Sequence, residues 1–103
     1  MAEPDTKAAR RAARERVGRY HEARLKELLE HVRGGFARYE AGELDAFDLD
    51  GVIHQYTRAA RELWKFCAVT GSQALYTAGT LDHWAQEGEE PDWWDRGAPR
   101  RPR

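Results

Sequence analysis

The sequence predicts an all-α protein: an antiparallel helical hairpin, a shorter third helix and an irregular C-terminal tail. Three observations carry this expectation. Apolar residues recur at alternating spacings of three and four over two long stretches. Residues that start and stop helices bracket each stretch. Only Gly42–Leu44 lies between the two, a connection short enough to make them antiparallel neighbours. The expected helices span about 6–41, 46–69 and 71–87, within a single domain over 1–88, and 89–103 forms the tail.

The first helix begins near Thr6. Its opening, KAARRAARERVGR, is rich in good helix formers and poor in large apolar groups. From Leu25 the pattern sharpens. Leu25, Leu29, Val32, Phe36 and Tyr39 are spaced 4, 3, 4 and 3, as on one helix face packed against another helix. Gly34 and Gly35 interrupt the run without breaking its phase, each at a cost of about 1 kcal/mol relative to Ala. Gly35 would also allow an aromatic ring from a neighbour to approach closely. Gly42 suits the left-handed position that ends a helix. The outer face, Glu15, Arg19, Glu22, Lys26, Glu30 and Arg33, alternates in sign at helical spacing and reads as solvated.

The second helix has the cleanest period in the chain: Leu49, Ile53, Tyr56, Ala60, Leu63 and Cys67, spaced 4, 3, 4, 3 and 4. It starts inside DAFDLDG, which resembles half of a calcium loop. With Gly51 at the sixth position of such a loop, Ala46 falls at the first and Thr57 at the twelfth, so both terminal ligands are missing. Asp45 as N-cap and Asp48 three residues on fit a helix start better, and Asp50 favours the positive end of the helix dipole. The third helix is expected to open on a T-x-x-Q box, Thr70 and Gln73. It buries Ala74, Ala78, Leu81 and Trp84 or Ala85, and ends at Gly88 and Pro91. At 1.5 Å per residue the first helix is about 54 Å long and the second about 37 Å. The first therefore overhangs, and its overhang is expected to fray or to lie on another subunit.

Composition narrows the function. Net charge is −1, so the whole molecule has no strong pull toward DNA or membranes. The charge is nevertheless blocked: residues 71–95 sum to −6 and the last eight to +4, a pattern that favours contacts between segments or chains. The single cysteine, Cys67, rules out a disulfide scaffold. No apolar run is long enough to cross a membrane or to resemble a signal peptide, so a cytoplasmic protein without a membrane partner is expected.

Two groups of residues are candidates for binding. Trp93 and Trp94, with Trp84 before them, are costly to leave in water and either fold back on the helices or anchor a protein partner. His54, Arg58, Arg61 and Lys65, spaced 4, 3 and 4, make a basic ridge on the outside of helix two. It could contact phosphates or dock an acidic segment. Glu27 with His31 and Asp50 with His54 have the spacing of metal-ligand pairs but point away from the predicted seam. No catalytic motif appears, Cys67 continues the core stripe, and no cofactor, metal or catalytic residue is assigned. The expectation is a small helical interaction or regulatory module that self-associates or binds a protein. Nucleic-acid binding through the ridge, and metal binding, are the alternatives.

Overall fold

Among the described residues, capping side chains begin three of the four helices. A computed structural model describes residues 5–99. In α1, Lys7–Glu40, the Thr6 hydroxyl accepts the amide of Ala9 at 3.0 Å. In α2, Ala46–Cys67, the expected capping box is complete: Asp45 accepts the Asp48 amide at 2.8 Å and Asp48 accepts the Asp45 amide at 3.1 Å. Asp48, Asp50 and Gly51 are thus helical residues rather than parts of an ion loop. In α4, Trp93–Arg96, Asp92 accepts the Asp95 amide at 3.1 Å.

The start of α3, Ser72–Glu87, differs from the expectation. Gly71 is the N-cap, with φ +57° and ψ −138°, and no side chain caps the helix. Thr70 contributes its carbonyl to the Gln73 amide at 3.2 Å instead of its hydroxyl. The reason is geometric. The chain must turn back sharply after Cys67, and the left-handed backbone that achieves this belongs to glycine.

The helices are arranged around α1. Gly35 of α1 meets Val52 of α2, and Tyr20 meets Phe66, so α2 runs back along the C-terminal part of α1. The side chain of Asp5 accepts from Ser72, Arg16 pairs with Asp82, and Tyr20 packs on Trp84. α3 therefore runs parallel to α1, against its N-terminal part. The overhang predicted from helix lengths is real, but α3 covers it: Ala13 and Val17 are buried with Ala74, Thr77 and Leu81. The core joins all the helices through Val17, Leu28, Ala59, Leu63, Cys67, Leu81 and Trp93.

The seam of α1 is displaced by one position from the row that its spacing predicts. Leu28 and Gly35 are buried, whereas Leu29 and Phe36 are 48% and 44% exposed. Gly35 is the cause. A Cβ there would lie 3.1 Å from Val52 Cγ1 and 3.3 Å from Leu49 Cδ1, so α2 sits closer than a larger residue would allow without displacing these side chains, and the close neighbours are aliphatic rather than an aromatic ring. In α2 the buried arc likewise shifts to Ala59, which is fully buried, and leaves Ile53 38% exposed.

The two adjacent glycines should therefore behave differently. Gly34 has open space around its Cβ position, so Gly34→Ala should raise stability by about 0.5–1 kcal/mol. Gly35→Ala should gain less or lose stability, because Val52 and Leu49 must give way. Urea denaturation of the two variants checks this; equal gains would contradict the close α1–α2 contact.

Candidate interaction surface

The segment expected as an irregular tail is docked, and its middle forms the short helix α4. Trp93 is 6% exposed. Its indole Nε1 donates to the Tyr20 hydroxyl at 2.8 Å, and that hydroxyl donates to Glu90 at 2.7 Å. Arg24 then grips both Glu90 oxygens, at 3.0 and 3.1 Å, while also donating to Glu27. The ring of Trp94 stacks on His31 with centroids 4.1 Å apart. Trp84 stacks on Phe66 at 5.0 Å. The large apolar surface of the tryptophans is thus mostly taken up inside the chain, as burial of such rings favours.

Backbone contacts hold the other side of α4. Gln55 Nε2 donates to the Trp94 carbonyl at 2.9 Å and Arg58 Nε to the Gly97 carbonyl at 2.7 Å. Gly97 is buried directly on α2. A Cβ at this position would collide with the Gln55 carbonyl oxygen and lie 2.6 Å from the Ala59 amide nitrogen. Ala59 and Gly97 are small for the same reason: two backbones touch there.

The predicted basic ridge is partly engaged. His54 lies 3.3 Å from Asp50, Lys65 donates to Glu62 at 3.1 Å, and Arg58 is turned to Gly97. Arg61 is exposed. The ridge gains a member that sequence spacing does not reveal. Arg96, over the ring of Trp93 at 5.7 Å, joins Arg58, Arg61 and Lys65 around a depression of about 390 Å³, with Glu62 the one acid in its wall among the described residues. Arg100, Arg101 and Arg103 lie outside the described residues. Glu27 is drawn to Arg24 and His31 to Trp94, so these two do not act as a pair. Among the described residues no three side chains of His, Cys, Asp or Glu come together as a metal site, and no helix is long and apolar enough to cross a membrane.

Burial shifts two titrations. Desolvation pushes the Tyr20 hydroxyl up to about 12, despite the hydrogen bond from Trp93, and pushes the Cys67 thiol up to about 11. A thiol so protonated and buried is a poor nucleophile, which agrees with a structural role.

Among the described residues one surface remains open. On the side of the hairpin away from α4, Leu29 and Phe36 of α1 stand beside Ile53 and Trp64 of α2, the last 59% exposed. Leu25, Val32, Tyr56 and Ala60, all partly buried, fill the floor between them. All of these but Trp64 belong to the rows whose regular spacing marks a helix seam, and the cis packing uses only one edge of it. Phe47 and Tyr76 are also exposed, but singly, as is ordinary for surface residues. Comparison with protein-family models, with curated proteins and with solved structures finds no match.

Two outcomes follow from the docked segment. Gly97→Ala should lower stability by about 1–3 kcal/mol, the usual range for overpacking, and make tryptophan fluorescence more water-like at the same time. Alkaline pH should also destabilise the fold. The tyrosine ordinarily loses its proton near 10 and in the folded chain near 12. The unfolded state thus binds fewer protons between these values, and stability present below 10 is lost as pH rises through 12. Chemical denaturation across this range should show a decline that Tyr20→Phe makes shallower.

Proposed function

We propose that the chain is a small helical interaction module, of an assembly or regulatory kind, whose working surface is the open apolar face of the α1–α2 hairpin. One observation carries this. A stripe with the spacing of a helix-packing seam, Leu25, Leu29, Val32 and Phe36, is left half uncovered beside Ile53 and Trp64. Such a stripe matches what a further helix would fill, with anchors at i, i+4, i+7 and i+11. Contiguous apolar surface of this kind marks association more often than chance exposure does. A reducing, cytoplasmic setting suits the single buried thiol. The tryptophans of the tail contribute by holding the opposite side of the hairpin rigid, so the partner surface moves from Trp84, Trp93 and Trp94 to the uncovered stripe.

A second reading has one observation in its favour: Arg96 gathers with Arg58, Arg61 and Lys65 around a single depression. It would contact the phosphates of a nucleic acid. Its strength would be greatest at low salt, so an absence of binding to single- and double-stranded oligonucleotides under those conditions ends it.

A photo-crosslinking phenylalanine analogue in place of Phe36, of Trp64 and, as a control, of Glu15 on the solvated face tests the first reading. A discrete adduct from Phe36 and Trp64 but not from Glu15 is expected. No adduct from either, or the same smear from all three, rejects it.

A further inference from the structure

The cations of the basic depression converge from two helices. Arg58, Arg61 and Lys65 come from α2 and Arg96 from α4, around a space of about 390 Å³. From Arg58 to Lys65 the row is about 10.5 Å long at 1.5 Å per residue. The Arg58 side chain is half-buried, and its Nε is committed to the Gly97 carbonyl at 2.7 Å. That bond fixes the plane of the guanidinium and leaves its two terminal nitrogens for another acceptor. Arg96 rests on the Trp93 ring. Among the described residues, Arg58, Arg61 and Arg96 pair with no carboxylate. Glu62 answers Lys65 alone, at 3.1 Å, as an exposed pair of little strength. Four cations and one acid in the described wall leave a local balance of +3.

We infer that this depression binds a compact oligophosphate, a chain of two or more phosphoryl groups, free or carried by a nucleotide. The inference rests on the second reading above and narrows its ligand. A terminal phosphoryl group carries about −1.5 to −2 near neutral pH, so two or three linked groups offset the local charge within one small ligand. The space lies at the lower end of the range for small-molecule sites, and the planar fork of an arginine matches phosphate oxygens. A nucleic acid needs more, because its backbone follows a positive track. Here, among the described residues, the track stops. Asp50 lies beyond His54 on α2, and Asp92 and Asp95 stand beside Arg96, all three exposed. Residues 71–95 sum to −6. These acids repel a long polyanion and leave room for a short one. An acidic peptide spreads single charges over separate side chains and cannot place as much charge in this volume.

The ligand acts as a clasp. The cations of α2 and α4 repel each other across the junction, and a bound anion replaces that repulsion with attraction to both sides. It binds the docked segment better than the undocked one, so binding stabilises the docked state. The same segment sets Gly97 on Ala59 and Trp93 on Tyr20, which carries the effect from the surface to the core.

Calorimetric titration of the full chain with inorganic tripolyphosphate and with ATP, at low salt and without divalent cations, tests the site. Both should bind once per chain, raise Tm by several degrees and slow amide exchange in α4; adenosine should do none of these. Equal affinities assign the phosphate chain alone as ligand, and tighter binding of ATP assigns the nucleotide. Arg61→Gln with Arg96→Gln should weaken binding at least about tenfold, because two charge-assisted contacts are lost. Arg19→Gln with Lys26→Gln, on the solvated face of α1, should leave it unchanged. Circular dichroism checks that both variants keep their helical content. If neither tripolyphosphate nor ATP binds, the inference is overturned; an oligonucleotide without terminal phosphates that still binds then leaves the second reading standing, and its failure as well removes both. Binding that the two pairs of substitutions weaken alike is general attraction to surface charge and overturns the site. Binding that leaves exchange in α4 unchanged overturns the clasp.

Discussion

The side chain of Tyr20 is the point on which the four helices converge. Its ring lies between Phe66 of α2 and Trp84 of α3, and its hydroxyl takes a hydrogen bond from Trp93 and gives one to Glu90. Each of these groups comes from a separate helix or from the connection between two. A phenol can do this because it is apolar along its ring and polar at its tip. The ring closes the gap where α2 has ended and α3 arrives from the other direction. The hydroxyl satisfies the indole N–H that burial of Trp93 would otherwise strand. Without such a joint the tail would have a hydrophobic reason to dock but no fixed place to do so.

The docking of the tail decides which surfaces stay open. Once Gly97 and Trp94 occupy one side of the hairpin, α2 turns Ala59 toward them. The rotation leaves Ile53, Ala60 and Trp64 on the other side. α1 responds in kind through Gly35. The uncovered stripe is therefore a product of internal packing rather than a region where packing failed. Its apolar content exceeds what the fold needs for its own core, and the proposed association through it follows from that surplus.

Much of the architecture is legible in the residues. The start of α2 is written in Asp45 and Asp48, and the end of α3 in Gly88, because caps are local chemistry. The helical class follows from the period of Leu49 through Cys67. The displaced seam of α1 is less accessible. Spacing identifies Leu29 and Phe36 as a row, but which of two adjacent rows faces inward depends on how near α2 can come, and Gly35 sets that distance. The tail is harder still. Four helical residues have no period to detect, and the contact of Gly97 with Ala59 joins positions far apart in the chain. Trp93 and Trp94 announce that something must cover them; they do not say whether the cover is this chain.

α1 is one continuous helix that serves two neighbours. Its first four turns are held by α3, through Ala13, Val17 and the pair of Arg16 with Asp82, and its later turns by α2 and α4. The joint between α2 and α3 is a few residues of extended chain with a glycine at its end. Opening of the two parts is therefore separable. α3 can detach and leave a helical hairpin with most of its buried groups intact, whereas loss of α2 removes the support of everything else. The molecule has two cooperative units of unequal resistance threaded on a shared rod, and slow amide exchange belongs to the half of that rod nearer its C-terminus.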